Sequence, residues 1–371
     1  MIKTEYYKDL TKMNTFGMKV KTRCFIEYDS VADLVDIEFE ELARPVLHIG
    51  GGSNLLFTQD FKGTVLHSKI DFIEILDECD SVPGVGECLL HTNGASSADF
   101  SQSSKVLVSI GAGVTFDDFC AWAAKEGLWG VENLSYIPGE VGASAVQNIG
   151  AYGVEVKDVI QRVYCYDTVE EEFVSFGVEE CGYGYRDSIF KNPEIKGRYI
   201  VTHVVFALSR EPKPRLEYGH LREAVSKVAE ASAGITPEMI RKVIIKIRKE
   251  KLPEPSVMGS AGSFFKNPVI SLEHFQRIES AAQTEHGQDY KVPHYDLPDG
   301  MVKVPAAWMI EQCGWKGRRS GGAAVYEKQP LVIVNYTGEA YPEEIIGLER
   351  RIVSSVKEKF GVELHPEVDH I

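Results

Sequence analysis

Apolar and polar positions along the chain predict interspersed strands and helices. The segment SVADLVDIEFEEL has apolar residues at helical spacing, and RPVLHIG after it resembles a short strand that ends in a glycine turn. Further on, TVLHSKIDFIEIL is predicted to be strand from Thr64 to Leu76. The opening of the chain is therefore predicted to have β-α-β character.

The middle of the chain predicts antiparallel pairing. VLVSIGAGVTFDDFCAWAAKEGL is predicted to be strand, turn and amphipathic helix, with Thr115 as N-cap. VIQRVYCYDTVEEEFVSFG alternates like two antiparallel strands joined at Asp167–Thr168, and RYIVTHVVFALSR is a further strand. Antiparallel strands among helices favour the α+β class.

The last third of the chain is predicted to be a separate region. TPEMIRKVIIKIRKEKLPEP predicts a helix that begins at Pro237 and stops at Pro253, and Pro253 with Pro255 marks a domain boundary. Beyond it, SLEHFQRIESAAQTE, PAAWMIEQCGW and PEEIIGLERRIVSSVKEKFG predict helices, and LVIVNY predicts a strand.

Composition and charge narrow the class of protein. The 371 residues exceed one ordinary domain, and 44% hydrophobic with 26% charged residues is typical of a globular protein with a core. A net charge of −15 disfavours nucleic acid as a partner. No apolar run approaches the ~20 residues of a membrane helix, and the N-terminus lacks an apolar signal core. We therefore expect no membrane association and a cytoplasmic location.

Cysteine and histidine patterns give no support to a metal centre. The seven cysteines are an odd number without a CxxC pair, which disfavours a disulfide framework and a zinc site. The ten histidines contain no HExxH or close-spaced cluster. We expect no bound metal and thiols that are mostly buried.

Two glycine-rich segments are candidates for binding a phosphate-bearing cofactor. Glycines let backbone N–H groups approach a phosphate closely, and the first segment, GGGSN, adds side-chain donors. Its candidate residues are Gly50, Gly51, Gly52, Ser53 and Asn54. The second segment, PGEVGASAVQNIGAYG, also carries amides that can hydrogen-bond a heterocycle edge such as that of a flavin. Its candidate residues are Pro138, Gly139, Gly142, Ser144, Gln147, Asn148, Gly150, Ala151, Tyr152 and Gly153. Ordinary structural turns are the alternative reading of both.

Three further residues are candidates for the chemistry itself. Arg186, in GYRDSIFK, can stabilise negative charge that develops during hydride transfer, although a surface pair with Asp187 is the commoner use of such a residue. Ser263, in GSAGSFFKNP, lies outside any G-x-S-x-G pattern and is expected to donate from its hydroxyl rather than act as a nucleophile. Glu367, near the end, is by itself a weak candidate because terminal glutamates are mostly solvated.

In this order, the motifs resemble those of the UDP-N-acetylenolpyruvoylglucosamine reductases, bacterial flavoenzymes of peptidoglycan precursor synthesis. The resemblance runs from NTFG at Asn14 to PEV at Pro366–Val368, through ENLSYIPGEVGASAVQNIGAYG, KLPEP and GGAAV. It implies noncovalent FAD, NADPH as hydride donor, and reduction of the enolpyruvyl ether of UDP-N-acetylglucosamine enolpyruvate to give UDP-N-acetylmuramate. A monomer with no macromolecular partner is expected.

The resemblance also implies a domain organisation. The family has a two-subdomain FAD-binding domain of the PCMH type and a separate α/β substrate-binding domain, within an overall α+β class. Here the subdomains would be residues 1–65, with the tail 361–371 packing back, and 66–252. The substrate domain would be 253–360. The segment from about Val82 to Lys105 is longer than the family pattern and is expected at the surface, and only three residues follow Val368.

Residue roles follow from the same resemblance, position by position. Ser263 matches the proton-donor serine, and Arg186 and Glu367 match the residues that orient the enolpyruvyl carboxylate and stabilise the enolate-like intermediate. Arg186 is also expected beside the cofactor. The implied substrate-binding residues are Lys251 and Asn267 on the diphosphate, Tyr218 as the closing tyrosine of type I members, and Lys303.

Two alternatives remain open from the sequence. One is an oxidase of the same FAD superfamily, but such enzymes commonly tether the flavin through His or Cys, and the two glycine-rich segments contain neither. The other is an inactive nucleotide-sugar-binding protein. Such a protein could lack Ser263, Arg186 or Glu367, and all three are present.

Overall fold

The computed structural model describes residues 1–76, 105–229 and 234–371, so nearly all of the predicted 82–105 surface segment lies outside the described residues. The helices are α1 (Val31–Val35), α2 (Phe116–Lys125), α3 (Val141–Gln147), α4 (Leu221–Ala229), α5 (Pro237–Lys251), α6 (Leu272–His286), α7 (Ala306–Gln312) and α8 (Pro342–Phe360). The strands are β1 (Lys3–Asp9), β2 (Lys21–Tyr28), β3 (Val46–Ile49), β4 (Leu55–Leu56), β5 (Phe61–Ser68), β6 (Ile73–Ile75), β7 (Lys105–Gly111), β8 (Gly150–Ala151), β9 (Val154–Glu155), β10 (Ile160–Asp167), β11 (Glu172–Gly177), β12 (Tyr199–Ser209), β13 (Gly259–Ser260), β14 (Val269–Ser271), β15 (Tyr295–Leu297), β16 (Met301–Lys303), β17 (Arg319–Ser320), β18 (Ala323–Val325), β19 (Ile333–Asn335) and β20 (Asp369–His370).

These elements form two compact units. The first unit comprises Met1–Lys8, Lys21–Gly51 and Phe61–Arg248, and the second comprises Asp9–Val20, Gly52–Asp60 and Lys249–Ile371. The predicted division at 1–65, 66–252 and 253–360 stays a prediction. Among the described residues, no helix combines the length and apolar character needed to cross a membrane.

The described part of the first unit contains a four-stranded sheet, a five-stranded sheet and the two-stranded antiparallel pair of β8 with β9. The four-stranded sheet has the order β1-β2-β5-β3, in which β2 and β3 both run parallel to β5. The five-stranded sheet has the order β11-β10-β12-β7-β6, with antiparallel pairing between neighbours. Helix α2 packs on the five-stranded sheet through apolar side chains such as Phe119, whose ring centroid lies 4.7 Å from that of Phe206. The parallel sheet matters for the site because β3 ends at Ile49, directly before the first glycine-rich segment.

The second unit contains antiparallel sheets of order β13-β19-β18-β17 and β14-β16-β15, and the parallel pair of β20 with β4. Its N-terminal contribution is fixed by Asn14, whose buried side chain donates to the carbonyls of Leu10 and Met18. The carbonyl of Phe16 accepts from the side chain of Asn335 on β19 at 3.0 Å. The NTFG motif is therefore part of the second unit.

Most predicted elements are confirmed, including the antiparallel pair β10 and β11 and the helices α2, α5, α6, α7 and α8. The helix predicted in SVADLVDIEFEEL forms only over Val31–Val35. The predicted strand over 64–76 is divided into β5 and β6, which belong to different sheets. Between them the carbonyl of Ile70 accepts from Gly113, and a Cβ on Gly111 would lie 2.3 Å from that carbonyl oxygen. The segment between β5 and β6 therefore passes close to the backbone of Gly111 and Gly113, where a side chain would not fit.

Candidate active site

The two glycine-rich segments meet backbone to backbone in the first unit. A Cβ on Gly51 would lie 3.3 Å from the Cα of Gly139, and Gly139 has a φ of +111°. A Cβ on Gly142, in the first turn of α3, would lie 2.8 Å from the Cβ of Ala112. Glycine at these positions lets the two segments pack backbone to backbone, and we call this paired region the cradle. Its backbone N–H groups are of the kind from which phosphate oxygens accept at close approach, which fits the diphosphate of a dinucleotide.

Several polar side chains of the second glycine-rich segment have protein partners. Asn148 is buried with a φ of +45°, and its side-chain nitrogen donates to the carbonyl of Gly184 at 2.7 Å. The hydroxyl of Ser144 donates to the carbonyl of Val141, and Gln147 accepts from Lys191 at 2.9 Å. These side chains brace the loop. Their predicted place in the cofactor site therefore rests mainly on the backbone that they hold.

Arg186 is joined to the same loop. It has a φ of +56°, and its guanidinium donates to the carbonyls of Asn148, at 3.2 Å, and Gly150. A Cβ on Gly150 would lie 2.8 Å from Nη1 of Arg186, so a glycine is required for this approach. The structure thus brings the predicted catalytic arginine to the predicted cofactor loop.

Tyr218 also reaches this loop. Its ring makes an edge contact with that of Tyr152, with 5.9 Å between centroids and an interplanar angle of 82°. Tyr152 has a φ of +49°, and a Cβ on the adjacent Gly153 would touch Tyr218 at 3.6 Å. Tyr218 is 45% exposed, so the predicted closing tyrosine lies at the surface of the first unit.

Two residues of the first unit support this loop although the sequence motifs alone do not single them out. Arg248 on α5 donates from Nε to the carbonyl of Tyr136 at 3.0 Å and interacts with Tyr152; burial lowers the pKa of its guanidinium. The buried side chain of Asn133 donates to the carbonyl of Tyr152 at 3.0 Å. Asn133 lies in the ENLSYIPGE stretch of the family motif, so its importance could have been recognised from the sequence. No sequence feature distinguishes Arg248, because it is one of many charged residues on a basic helix.

In the second unit, Ser263 and Glu367 lie on two paired segments. The backbone N–H of Glu367 donates to the carbonyl of Phe264 at 2.8 Å, and that of Lys266 donates to the carbonyl of His365 at 2.9 Å. Ser263 is half-buried and follows Gly262, which has a φ of +68°. The pairing brings the predicted proton donor and the predicted glutamate together.

The rest of the first glycine-rich segment supports this tail. Gly52 has a φ of +61°, and a Cβ there would lie 2.0 Å from the carbonyl oxygen of Met13. Asn54 donates from its side chain to the carbonyl of Glu367 at 3.1 Å, and β4, which follows Ser53 and Asn54, pairs with β20. Asn54 thus holds the chain at Glu367.

The remaining predicted substrate residues also belong to the second unit. Asn267 accepts from the backbone N–H of Ala306 at 2.9 Å and so caps the start of α7. The ammonium of Lys303 lies 5.5 Å from the ring centroid of Tyr295. Lys251 is exposed at the end of α5. The substrate-binding roles of these three residues stay predictions.

The described part of the chain holds no cluster of three or more His, Cys, Asp or Glu side chains that could hold a metal ion. Cys24, Cys120, Cys165, Cys181 and Cys313 are free thiols. Burial raises the pKa of Cys181 to about 11, which keeps that thiol protonated.

A glycine-lined diphosphate cradle on this α+β fold defines an FAD-binding flavoprotein, and residues 23–174 match the FAD binding domain family. Residues 254–371 match the C-terminal domain of UDP-N-acetylenolpyruvoylglucosamine reductase. The chain belongs to the UDP-N-acetylenolpyruvoylglucosamine reductase family.

Relatives named as reductases of this family align with the chain over nearly their whole length. The protein from Bacteroides fragilis is 47% identical over 363 residues, which cover 98% of both chains. That from Porphyromonas gingivalis is 44% identical and covers 98% of this chain and 97% of the relative. The crystal structure of the reductase from Thermus caldophilus covers the whole of this chain and 98% of its own, with a TM-score of 0.62 at 21% identity. The similarity to the Thermus caldophilus structure supports the predicted fold.

Proposed function

We propose that this protein reduces UDP-N-acetylglucosamine enolpyruvate to UDP-N-acetylmuramate, with FAD as noncovalent cofactor and NADPH as hydride donor. The observation that carries the proposal is the pairing of the Ser263 and Glu367 segments, in a chain 47% identical to a reductase of this substrate. The two glycine-rich segments would hold FAD, which when bound would supply hydride transfer from NADPH to the enolpyruvyl carbon remote from the carboxylate. The residues of the chain bind the reactants and handle the proton.

Ser263 completes the reduction by donating a proton. Hydride addition leaves negative charge on the carbon beside the carboxylate, and the hydroxyl of Ser263 transfers its proton to that carbon. A serine is a poor acid in water, so its surroundings must assist it. The backbone on either side of Ser263 is fixed by the turn at Gly262 and by the pairing of Phe264 with Glu367, which fixes the position from which the hydroxyl projects.

Arg186 and Glu367 orient the enolpyruvyl group and stabilise the charge that develops on it. The carbonyls of Asn148 and Gly150 hold the guanidinium of Arg186, so its positive charge needs no rearrangement during the reaction. Glu367 is fixed at its backbone on both sides, by Phe264 and by Asn54. The fixed geometry supports roles in orientation.

We assign the binding of the substrate's nucleotide part to two lysines and the side-chain amide of an asparagine. Lys251 and Asn267 bind the diphosphate, Lys303 adds a second cation, and Tyr218 closes over the substrate as in type I members of the family. Support comes from the exposure of Lys251 and of Tyr218, which leaves both accessible to a ligand. The side-chain oxygen of Asn267 caps α7, so its side-chain nitrogen is the group assigned to the substrate.

The setting of this reaction is proposed as the cytoplasm, with the protein as a monomer. Five free cysteines among the described residues fit a reducing compartment, where thiols persist. NADPH and the UDP-sugar are then its small-molecule partners.

Product analysis tests the proposal. Purified protein with FAD, NADPH and UDP-N-acetylglucosamine enolpyruvate should oxidise one NADPH for each substrate and yield a product heavier by two hydrogens. NADPH oxidation that does not depend on the UDP-sugar, with oxygen as acceptor, would instead favour an oxidase of the same superfamily.

A further inference from the structure

A buried histidine lies between two carboxylates beneath the glycine loops of the first unit. His67 on β5 is 3% exposed; its Nδ1 is 3.1 Å from Oε2 of Glu27, and its Nε2 is 2.9 Å from Oε1 of Glu140. Glu27 is the Cα partner of His67 on β2, whereas Glu140 lies 73 residues away, directly after Gly139. None of these three residues belongs to the catalytic set above.

The hydrogen-bond geometry of this cluster fits one arrangement of hydrogens. An ionised carboxylate only accepts hydrogen bonds, so an imidazole that faces one carboxylate at each ring nitrogen satisfies both when each nitrogen carries a hydrogen. The imidazolium with two carboxylates is that state. His48 on the adjoining β3 adds no second charge, because burial lowers its pKa to about 3, and its Nε2 lies 2.7 Å from the hydroxyl of Tyr28.

Glu140 lies against both glycine loops. A Cβ on Gly50 would lie 3.2 Å from Oε2 of Glu140 and 3.1 Å from the Cβ of Ala143, so the carboxylate packs on the first loop. The same residue precedes α3 and follows Gly139, whose backbone meets Gly51. A carboxylate at this place is adverse for a diphosphate, because like charges repel strongly where water is excluded.

We propose that His67 is a positioning residue for FAD, which fastens Glu140 to the parallel sheet and neutralises its charge beside the diphosphate cradle. The inference rests on FAD as the cofactor and deepens that assignment. It explains why a carboxylate is tolerated between two anion-binding loops. A positive charge on His67 compensates the negative charge of Glu140. Their hydrogen bond also ties the second glycine-rich segment to the parallel sheet, whose strand β3 leads into the first glycine-rich segment.

A purely structural role makes a different prediction. If the cluster only tethered the loops, removal of either partner would break the same contact, so the two single losses would be equal and the double variant would lose no more than either. Charge compensation instead makes the two substitutions unequal. Loss of His67 leaves Glu140 as an unbalanced anion next to the diphosphate, whereas loss of the Glu140 charge removes the need for compensation.

The test is FAD release from the holoenzyme, followed on dilution by the fluorescence of free flavin, with the midpoint of thermal unfolding recorded for each variant. His67→Gln should raise the FAD dissociation constant at least tenfold. Glu140→Gln should leave it within threefold of wild type, and the His67→Gln/Glu140→Gln double variant should return to within threefold. Glu27→Gln, which removes the carboxylate remote from the loops, is the matched control and should also stay within threefold.

Two results would overturn the proposal: unchanged FAD release in His67→Gln, or a double variant that releases FAD as readily as His67→Gln. If His67→Gln does not fold, His67→Asn takes its place with the same expected result and the same overturning results, because it also removes the cation and keeps an amide donor. A wild-type protein that binds no FAD would contradict the proposed function and the role of His67 with it, whereas a wild type that binds FAD together with unchanged release in His67→Gln would contradict the assignment of His67 alone.

Discussion

The backbone N–H of Glu367 donates to the carbonyl oxygen of Phe264 at 2.8 Å, which places Glu367 opposite the residue that follows Ser263. The pairing joins a turn that follows β13 to a tail that begins after α8. Asn54 holds the same tail from a third segment. The position of Glu367 thus depends on chain segments that are more than three hundred residues apart.

Ser263→Ala should separate the two half-reactions. Reduction of the bound flavin by NADPH should stay within about twofold of wild type, whereas reoxidation by the UDP-sugar should slow by about 10²–10⁴, the usual contribution of a positioned general acid. Rapid mixing of each half-reaction measures both. Ser260→Ala, in the same segment, is the control and should alter neither. Equal loss of both rates in Ser263→Ala would refute the proton-donor role.

Arg186→Lys should lower the rate of the second half-reaction at least tenfold, because an ammonium cannot hold the carbonyls of Asn148 and Gly150 with one planar fork. Gly150→Ala should cause a similar defect by steric contact, since its Cβ would lie 2.8 Å from Nη1. Single-turnover reoxidation measures this effect. Arg162→Lys, whose guanidinium contacts Ser175 instead, should leave the rate unchanged. Wild-type turnover in Arg186→Lys would remove this arginine from the site.

Lys251→Ala should raise the KM for the UDP-sugar about tenfold and leave kcat nearly unchanged, because a diphosphate contact is made equally in the ground state and the transition state. Steady-state kinetics at saturating NADPH measure this. Lys246→Ala, an exposed lysine on the same helix, is the matched control. A change confined to the KM for NADPH would show that Lys251 binds the other nucleotide.

Stability should fall as the pH drops from about 6.5 to 4. Burial lowers the pKa of His203 to about 4 and that of His48 to about 3, below the ordinary 6.5. The unfolded state therefore binds more protons in this range, and each histidine reduces the free energy of unfolding by up to about 1.4 kcal/mol per pH unit. Urea unfolding at pH 7 and pH 4.5 measures the loss.

The variant His203→Phe keeps a ring on Tyr164, with which His203 stacks at 4.4 Å, and should remove one part of that pH dependence. An identical slope in wild type and variant would show that His203 does not contribute.

The two glycine-rich segments could be singled out from the sequence because each is a local motif, and the structure brings them together. A backbone that must approach a phosphate, or another backbone as Gly51 approaches Gly139, has to be glycine, and that need is visible in the letters. Local periodicity likewise predicts helices such as α5 and α8.

Contacts between distant side chains could not be predicted in this way. The side-chain nitrogen of Asn148, whose place in the cofactor site stays a prediction, donates to the carbonyl of Gly184 and to Glu155. The pair of His67 and Glu140 joins positions with no shared motif. The break between β5 and β6 depends on Gly111 and Gly113 approaching a carbonyl from elsewhere in the chain, which no local pattern records.

The most direct test of the central claim is the visible spectrum of the purified protein under anaerobic conditions, followed through the addition of NADPH and then of UDP-N-acetylglucosamine enolpyruvate. We expect a yellow flavin spectrum that bleaches with NADPH and is restored by one equivalent of the UDP-sugar. A flavin that bleaches and stays reduced after that addition would contradict the proposed substrate. A colourless protein that takes up no added FAD would contradict the whole account.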